Sequence, residues 1–453
     1  MAGGGGLTVP RFLTHPAAPV TVAAVLRVGA AIALLAAPAA FALRDYGPGV
    51  EAPSSWERIW HRPRYVQLAD DEVAYDALAR HIVRGDGFLV DRGWMIAQPG
   101  EPTAYGGAAY PLFLSAVYAV SGAGYPVVLL IQIALSVLAV AGCGYLGRQV
   151  AGAAAGQVAA WTAAVHPGLI LAPSLLLTEA LAVPLILGIV LSATLWLSTR
   201  RVSHALLLGV AVGVGGLVRS PLAFIGVTAA TAALVAALRG TPRLTARSAL
   251  PHALAVLLGA AVVVAPWAGR NWVQYRHLVP FDTKSGPGLY QFNHPGQPVG
   301  WSAQEVAPDP PVQPLPGLNE AAAAAHYREL ALRYAGSEPL RFAANSTIRA
   351  VRFWWPVPRR IGTPVLWPAV LAYGVFSLLA LAGVWLLLGS PGSATARWPL
   401  AAALLAGWLL AALSAVGLRH RLTLEPLLVL AAGVAAVHIA RAWLQRTATR
   451  PAP

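Results

Sequence analysis

Asp70, Asp71 and Glu72 stand side by side in a chain that otherwise carries few acids, and three adjacent carboxylates need a reason. From Glu72 onward Val73, Leu78, Ile82 and Val83 recur at roughly helical spacing, with Arg80, His81 and Arg84 between them. This predicts a short amphipathic helix along a membrane surface, with the acids at its N-terminus. Acids there also favour the helix dipole, and one of the three is read as a cap and nothing more. A fourth acid, Glu179, lies in Leu177-Thr-Glu-Ala-Leu181 within an apolar run, where a lone carboxylate needs a partner, functional or structural. His166, Arg219, Arg270 with Asn271, and Arg419, His420 and Arg421 fall at the ends of other apolar runs. Carboxylates beside several arginines can take a proton from a neutral hydroxyl while holding an anionic phosphate. The bland alternative is that these charges are interfacial anchors or internal ion pairs.

The elements that would position them are membrane helices. Hydrophobic residues make up 57% of the chain and charged residues 11%, and the mean hydropathy is +0.61. That composition sets soluble classes aside and predicts an all-α polytopic membrane protein. Apolar runs near 19–43, 125–147, 155–172, 175–198, 203–218, 221–238, 250–268, 366–389, 398–417 and 422–443 predict about ten spans. The first is expected to be retained rather than cleaved. Arg148, Arg200, Arg201, Arg239, Arg243, Arg247, Arg397, Arg441, Arg446 and Arg450 all fall on one side if both termini are cytoplasmic. Keeping Arg148 there requires 110–122, apolar but short, to be interfacial or re-entrant. Two stretches then lie outside: 44–124 with the acids, and 269–364 as a lid in which 319–355 reads as helix behind an Asn319 cap. Trp56, Trp60, Trp94, Trp267, Trp272, Trp301, Trp354, Trp355 and Trp367 fit an interfacial belt. Residues 444–453 form a cytoplasmic tail in this arrangement, and the whole chain reads as one integral domain. The formal charge of +14 is almost all arginine, Lys284 being the single lysine, and no basic run interleaved with aromatics points to nucleic acid. One cysteine, Cys143, allows no disulfide framework.

Asp71-Glu72-x-x-Tyr75-x-x-Leu78-Ala79 with Gly85-Asp-Gly-Phe88, followed by Pro102-Thr-Ala-Tyr-Gly-Gly-Ala-Ala-Tyr-Pro-Leu-Phe-Leu114, resembles the first external loop of GT-C glycosyltransferases that use polyprenyl-phosphate sugars. The likeness is to the protein O-mannosyltransferase and lipid A aminoarabinose transferase group. It continues through Leu176-Leu-Thr-Glu179, Gly216-Leu-Val-Arg-Ser-Pro221, Pro266-Trp-Ala-Gly-Arg-Asn-Trp272, Val279 to Tyr290, and Arg419-His-Arg421 with Glu425-Pro426, so it spans nearly the whole chain. The resemblance implies a general base at Asp71. Glu72 would orient the acceptor or bind a metal, and Glu179, Asp70, Tyr75 and Tyr105 would line the acceptor site. Arg270, Lys284, Arg219, Arg421, His420 and Asn271 would hold the lipid phosphate. A divalent metal on Asp71, Glu72 or Glu179 is left open, and no other cofactor is expected. The large C-terminal soluble domain of some relatives is missing from this sequence.

The expected activity is inverting transfer of a hexosyl or pentosyl unit from the polyprenyl phosphate to an acceptor hydroxyl of a glycan, lipid or protein, outside the plasma (inner) membrane. The rival is a transporter or flippase of an anionic lipid-linked sugar, and a non-catalytic scaffold is a third reading. Transport needs charges at the midplane or on both faces, whereas here they gather at one side.

Overall fold

The computed structural model describes residues 15–36, 70–122, 124–239, 244–297, 312–354, 367–389, 397–414 and 418–448. Trp56, Trp60, Trp301 and Trp355 lie outside the described residues, as do the side chains of Asp70 and Trp367. Within them are α1 (Ala18–Ala36), α2 (Asp70–Arg84), α3 (Ala109–Ser121), α4 (Tyr125–Ala151), α5 (Ala153–Val165) and α6 (Pro167–Leu171). A 3-10 turn and a short connector lead to α7 (Glu179–Thr199), α8 (Val202–Val218), α9 (Ser220–Arg239), α10 (Ala246–Tyr275), α11 (Ser285–Gln291) and α12 (Glu320–Ser337). The remainder is α13 (Pro339–Trp354), α14 (Trp367–Gly389), α15 (Arg397–Leu413), α16 (Leu418–Leu422) and α17 (Glu425–Ala448). The described residues form no strand, only a bridge between Trp94 and Ala97.

Six helices are long and apolar enough to cross a membrane, namely α4, α7, α9, α10, most of α14 and α17; α1, α8 and α15 are shorter apolar helices beside them. Large apolar side chains stay exposed on their outer faces, including Leu130, Leu138, Leu257, Val262, Leu378 and Trp385. An apolar exterior on this scale is stable only against lipid. The chain is an integral, multi-pass, all-α membrane protein.

Lipid tails are as apolar as leucine, so these helices are held by close packing and buried polar bonds. α8 lies against α10 where Gly209 and Gly213 face Val256, Gly259 and Ala260; a Cβ on Gly209 would overlap the Val256 carbonyl. α4 packs on α5, α14 on α17 and α9 on α15. Arg27, in the middle of α1, is fully buried and has no acidic partner among the described residues. It donates to Ser136 Oγ at 2.7 Å and to the carbonyls of Ala164 at 3.2 Å and Ala163 at 3.3 Å. Those carbonyls are free because the run expected as one span over 155–172 is broken. Pro167 cannot continue the hydrogen-bond ladder of α5, and His166 caps α6 by accepting from the Leu169 amide at 3.4 Å.

The external segments depart from expectation in detail. The run 319–355 is two helices, because Pro339 ends the ladder of α12 and starts α13; Asn319 caps α12 by accepting from Ala322 at 2.9 Å. With 13 residues α3 extends only about 20 Å, short of a bilayer core, and it packs along α2. The 30 residues of α10 extend about 45 Å, so its end bearing Trp267, Arg270, Asn271 and Tyr275 projects beyond the hydrocarbon. A second core joins α2, α3, the start of α4 and α12 through Tyr75, Leu78, Trp94, Tyr105, Tyr110, Leu114 and Tyr327.

Candidate active site

Five chain segments meet over the ends of the membrane helices. The first turn of α2 supplies Asp71 and the first residue of α7 supplies Glu179. Arg219 follows α8, Lys284 precedes α11, and Arg419 lies in the short α16. Arg419 bridges the two acids, with Nη2 2.7 Å from Asp71 Oδ2 and Nε 3.0 Å from Glu179 Oε1. Arg219 Nη1 reaches the same Glu179 oxygen at 2.5 Å. Asp71 Oδ1 accepts the Trp94 indole N–H at 2.9 Å and faces Lys284 Nζ at 3.5 Å.

The cluster is layered. The Glu179 and Asp71 side chains are 1% and 14% exposed, whereas Arg219, Arg419 and Lys284 are 20%, 36% and 41% exposed. The cations are thus the more exposed members of the cluster and the carboxylates the more buried ones. The Lys284 ammonium stands 5.3 Å over Trp94 and 5.5 Å over Tyr105, a cation–π seat that holds it without spending its hydrogen bonds. Burial alone would favour the neutral acid at Asp71, but Lys284, Arg419 and the Trp94 N–H outweigh it and hold the carboxyl well below the usual range. Enclosure by the surrounding protein, then Arg219 and Arg419, pushes the His420 imidazole down to about 4, so it is neutral.

The other expected residues have different tasks. Glu72 is buried and accepts the Leu176 amide at 2.9 Å, tying α2 to the connector before α7. Tyr75 and Tyr105 are buried in edge-to-face contact with Trp94 and back the site as a wall. Arg270 donates to the Thr103 carbonyl at 3.2 Å and to Asn271 at 2.9 Å, and lies 5.1 Å over Trp267 and 5.5 Å over Phe88. Asn271 donates to the Val279 carbonyl at 2.9 Å, so this pair braces a loop. Arg421 is buried in a separate cluster, 2.9 Å from Glu425, donating to the Phe353 carbonyl at 2.6 Å and to Ser377 at 3.1 Å. His166 and Tyr373 complete that cluster on Glu425. Arg421 therefore faces the bundle, and Arg419 faces the acids in its place.

Glu320 carries a role the sequence did not signal. It accepts from Thr103 Oγ1 at 2.6 Å, Thr283 Oγ1 at 2.6 Å and the Ala104 amide at 2.8 Å. One carboxyl thus fastens the first external segment, the Lys284 loop and α12 together, and burial pushes it up from the ordinary range despite those donors and Arg270.

Asp71 commits both oxygens to guanidinium, ammonium and indole groups, Glu179 takes both guanidinium groups on Oε1 while Oε2 accepts the Thr178 hydroxyl at 3.4 Å, and Glu72 accepts the Leu176 amide. Among the described residues no three metal-ligating side chains come together. Asp71, Glu72 and Glu179 do not converge on one point in this arrangement, and the mechanism proposed for the chain routes no step through a divalent cation.

Residues 107–269 match the family described as dolichyl-phosphate-mannose-protein mannosyltransferase. The matched stretch, roughly a third of the chain, contains Glu179 and Arg219 but not Asp71, Lys284 or Arg419. The oligosaccharyltransferase AglB of Archaeoglobus fulgidus, solved with an inhibitory peptide and a dolichol-phosphate, superposes with a TM-score of 0.51 at 16% identity. That superposition covers 96% of this chain and 52% of the other. The A. fulgidus oligosaccharyltransferase in complex with Zn and sulfate gives a TM-score of 0.54 at 15% identity, covering 95% and 50%. The chain has the GT-C fold. It spans about half the length of these oligosaccharyltransferases. ArnT from Cupriavidus metallidurans, bound to undecaprenyl phosphate, superposes more loosely, with a TM-score of 0.36 at 13% identity over 91% of this chain and 77% of that one. No curated protein matches the chain by sequence.

Proposed function

We propose that this GT-C protein is a glycosyltransferase that moves a sugar from a polyprenyl-phosphate-linked donor to an acceptor hydroxyl on the extracytoplasmic face, with inversion at the anomeric carbon. The observation that carries the proposal is the layered cluster, a carboxylate beneath three exposed cation heads. The fold shared with an oligosaccharyltransferase solved with a dolichol-phosphate supports the donor class, as does the mannosyltransferase family match.

In this mechanism the phosphate of the donor lies on Lys284, Arg419 and Arg219, and its prenyl tail runs along the apolar helices. The acceptor oxygen attacks the anomeric carbon from the face opposite the phosphate, and Asp71 takes the hydroxyl proton. The bond from the anomeric carbon to the phosphate oxygen breaks with its electron pair going to oxygen. The three cations stabilise that charge as it develops. Glu179 pairs with both guanidinium groups and anchors Arg219 at the phosphate site. The external side is supported by the distribution of arginine. α7 and α8 begin or end at Glu179 and Arg219, and Arg200 and Arg201 join their far ends, with Arg148, Arg239 and Arg397 at matching positions.

The test is Asp71→Asn in purified, correctly inserted protein. Turnover from a polyprenyl-phosphate sugar is expected to fall about a hundredfold to ten-thousandfold. Turnover equal to the parent would remove Asp71 from the reaction.

A further inference from the structure

The base proposed above is held in a form poorly suited to its task. Asp71 Oδ2 is occupied by Arg419 at 2.7 Å, while Oδ1 receives the Trp94 N–H at 2.9 Å and faces Lys284 at 3.5 Å. Both oxygens already take a cation or an N–H, and a carboxylate so stabilised has little drive to take a proton. Arg419, however, is not locked. It is one of the more exposed members of the cluster, lies in a five-residue helix, and pairs with carboxylates more buried than itself.

Resting on the glycosyltransferase reading, we propose that Arg419 is a built-in counter-ion that masks Asp71 until the phosphate of the donor draws it off, so that the donor switches the base on and binds before the acceptor. A phosphate entering from the open side offers Arg419 a bidentate partner. Movement of the guanidinium toward it frees Oδ2. Loss of the cation and arrival of an anion both raise the proton affinity of the carboxylate. The other groups facing Asp71 do not reverse this. Glu179 on α7 stays paired with Arg219, His420 on α16 is neutral, Tyr75 on α2 and Tyr105 are buried phenols, and Lys284 is drawn to the same phosphate. The proton passes from the acceptor oxygen to Asp71 as the new glycosidic bond forms and the phosphate oxygen keeps the electron pair of the broken one. When the polyprenyl phosphate departs, Arg419 returns to Asp71 and the proton is released to water. An acceptor that arrives first, water included, meets a carboxylate that is still masked, so hydrolysis of the donor is suppressed by order of binding.

The experiment uses the full chain in lipid nanodiscs and undecaprenyl phosphate as the probe. A hydrophobic carbodiimide reacts only with protonated carboxyls, and peptide mapping reads the label at residue 71 as a function of pH. In the free protein the labelling midpoint of Asp71 is expected to lie below the accessible range. With undecaprenyl phosphate the midpoint moves up, and labelling at about pH 6 rises up to about tenfold for each unit of movement. Arg419→Gln is expected to show the raised midpoint without lipid, and Arg419→Lys to lie between the two. Should Arg419→Gln fail to insert, the parent with and without lipid decides. Saturable binding of undecaprenyl phosphate with no movement of the Asp71 midpoint overturns the masking and leaves the glycosyltransferase reading standing. A change in labelling extent at a fixed midpoint overturns it equally. Absence of any binding of undecaprenyl phosphate overturns both.

Discussion

Arg419 and Arg421 are two residues apart, about 200° around a helix, so only one of them can face the acids. The sequence shows the pair but not which face is turned inward, and Arg421 was expected where Arg419 stands. The deciding contact is Glu425, one turn from Arg421, which draws it into the bundle. Arg421→Ala is therefore expected to leave Glu425 buried without its cation, held only by His166 and Tyr373, and to cost about 3 to 5 kcal/mol of stability, read as a large fall in the thermal midpoint. Lys284→Ala is expected to behave oppositely. Its half-exposed ammonium makes one loose ion pair, so stability should hold while affinity for polyprenyl phosphate, measured by calorimetry, falls about tenfold to a hundredfold. Equal lipid affinity in Lys284→Ala would take the phosphate away from this end of the cluster. Asp71, Glu179 and Arg219 were legible because charge in an apolar setting is conspicuous. Trp94 and Glu320 were not, since an interfacial tryptophan and an acid at a helix start each have an ordinary explanation.

The membrane helices were legible as elements because each apolar run matches a helix length. Where a run was misread, proline had intervened, at Pro167 inside the third span and at Pro339 inside the long external helix. Closeness of packing was hidden, because a glycine in an apolar run does not announce what it touches. Gly209→Val would force a branched side chain into the α10 backbone at Val256. The thermal midpoint should drop by the equivalent of about 1 to 3 kcal/mol, whereas Gly188→Ala, which meets nothing nearby, should leave it unchanged. The external elements are fastened by Glu320, whose carboxyl titrates above its ordinary value in the folded state. A raised acid favours the fold below its unfolded value of about 4.3, and that contribution is lost as pH rises through the folded one. The difference in midpoint between Glu320→Gln and the parent should thus move in favour of the glutamine as pH rises above about 4.3. A pH-independent difference would mean that Glu320 carries no such shift.

At the scale of the whole molecule, the arrangement makes one claim about sidedness that chemistry at the membrane surface can check. Cys143 is buried, so with it replaced by alanine, single cysteines at the exposed positions Ser285 and Ser203 report on opposite faces. An impermeant thiol reagent added to intact cells is expected to label the first and spare the second, and the reverse pattern would place the acid cluster in the cytoplasm. Arg27 carries a different consequence, one of biogenesis. Besides the Ala23 carbonyl of its own helix, its hydrogen-bond partners are Ser136, Ala163 and Ala164, which lie 109, 136 and 137 residues further along the chain and are the ones still to come. When α1 leaves the ribosome none of them exists, and an unaccompanied arginine at mid-helix opposes membrane entry by about 2.5 to 3.5 kcal/mol. The other apolar residues of α1 offset part of that cost, and the first helix is expected to gain its full hold on the membrane only when α4 and α5 arrive to receive Arg27.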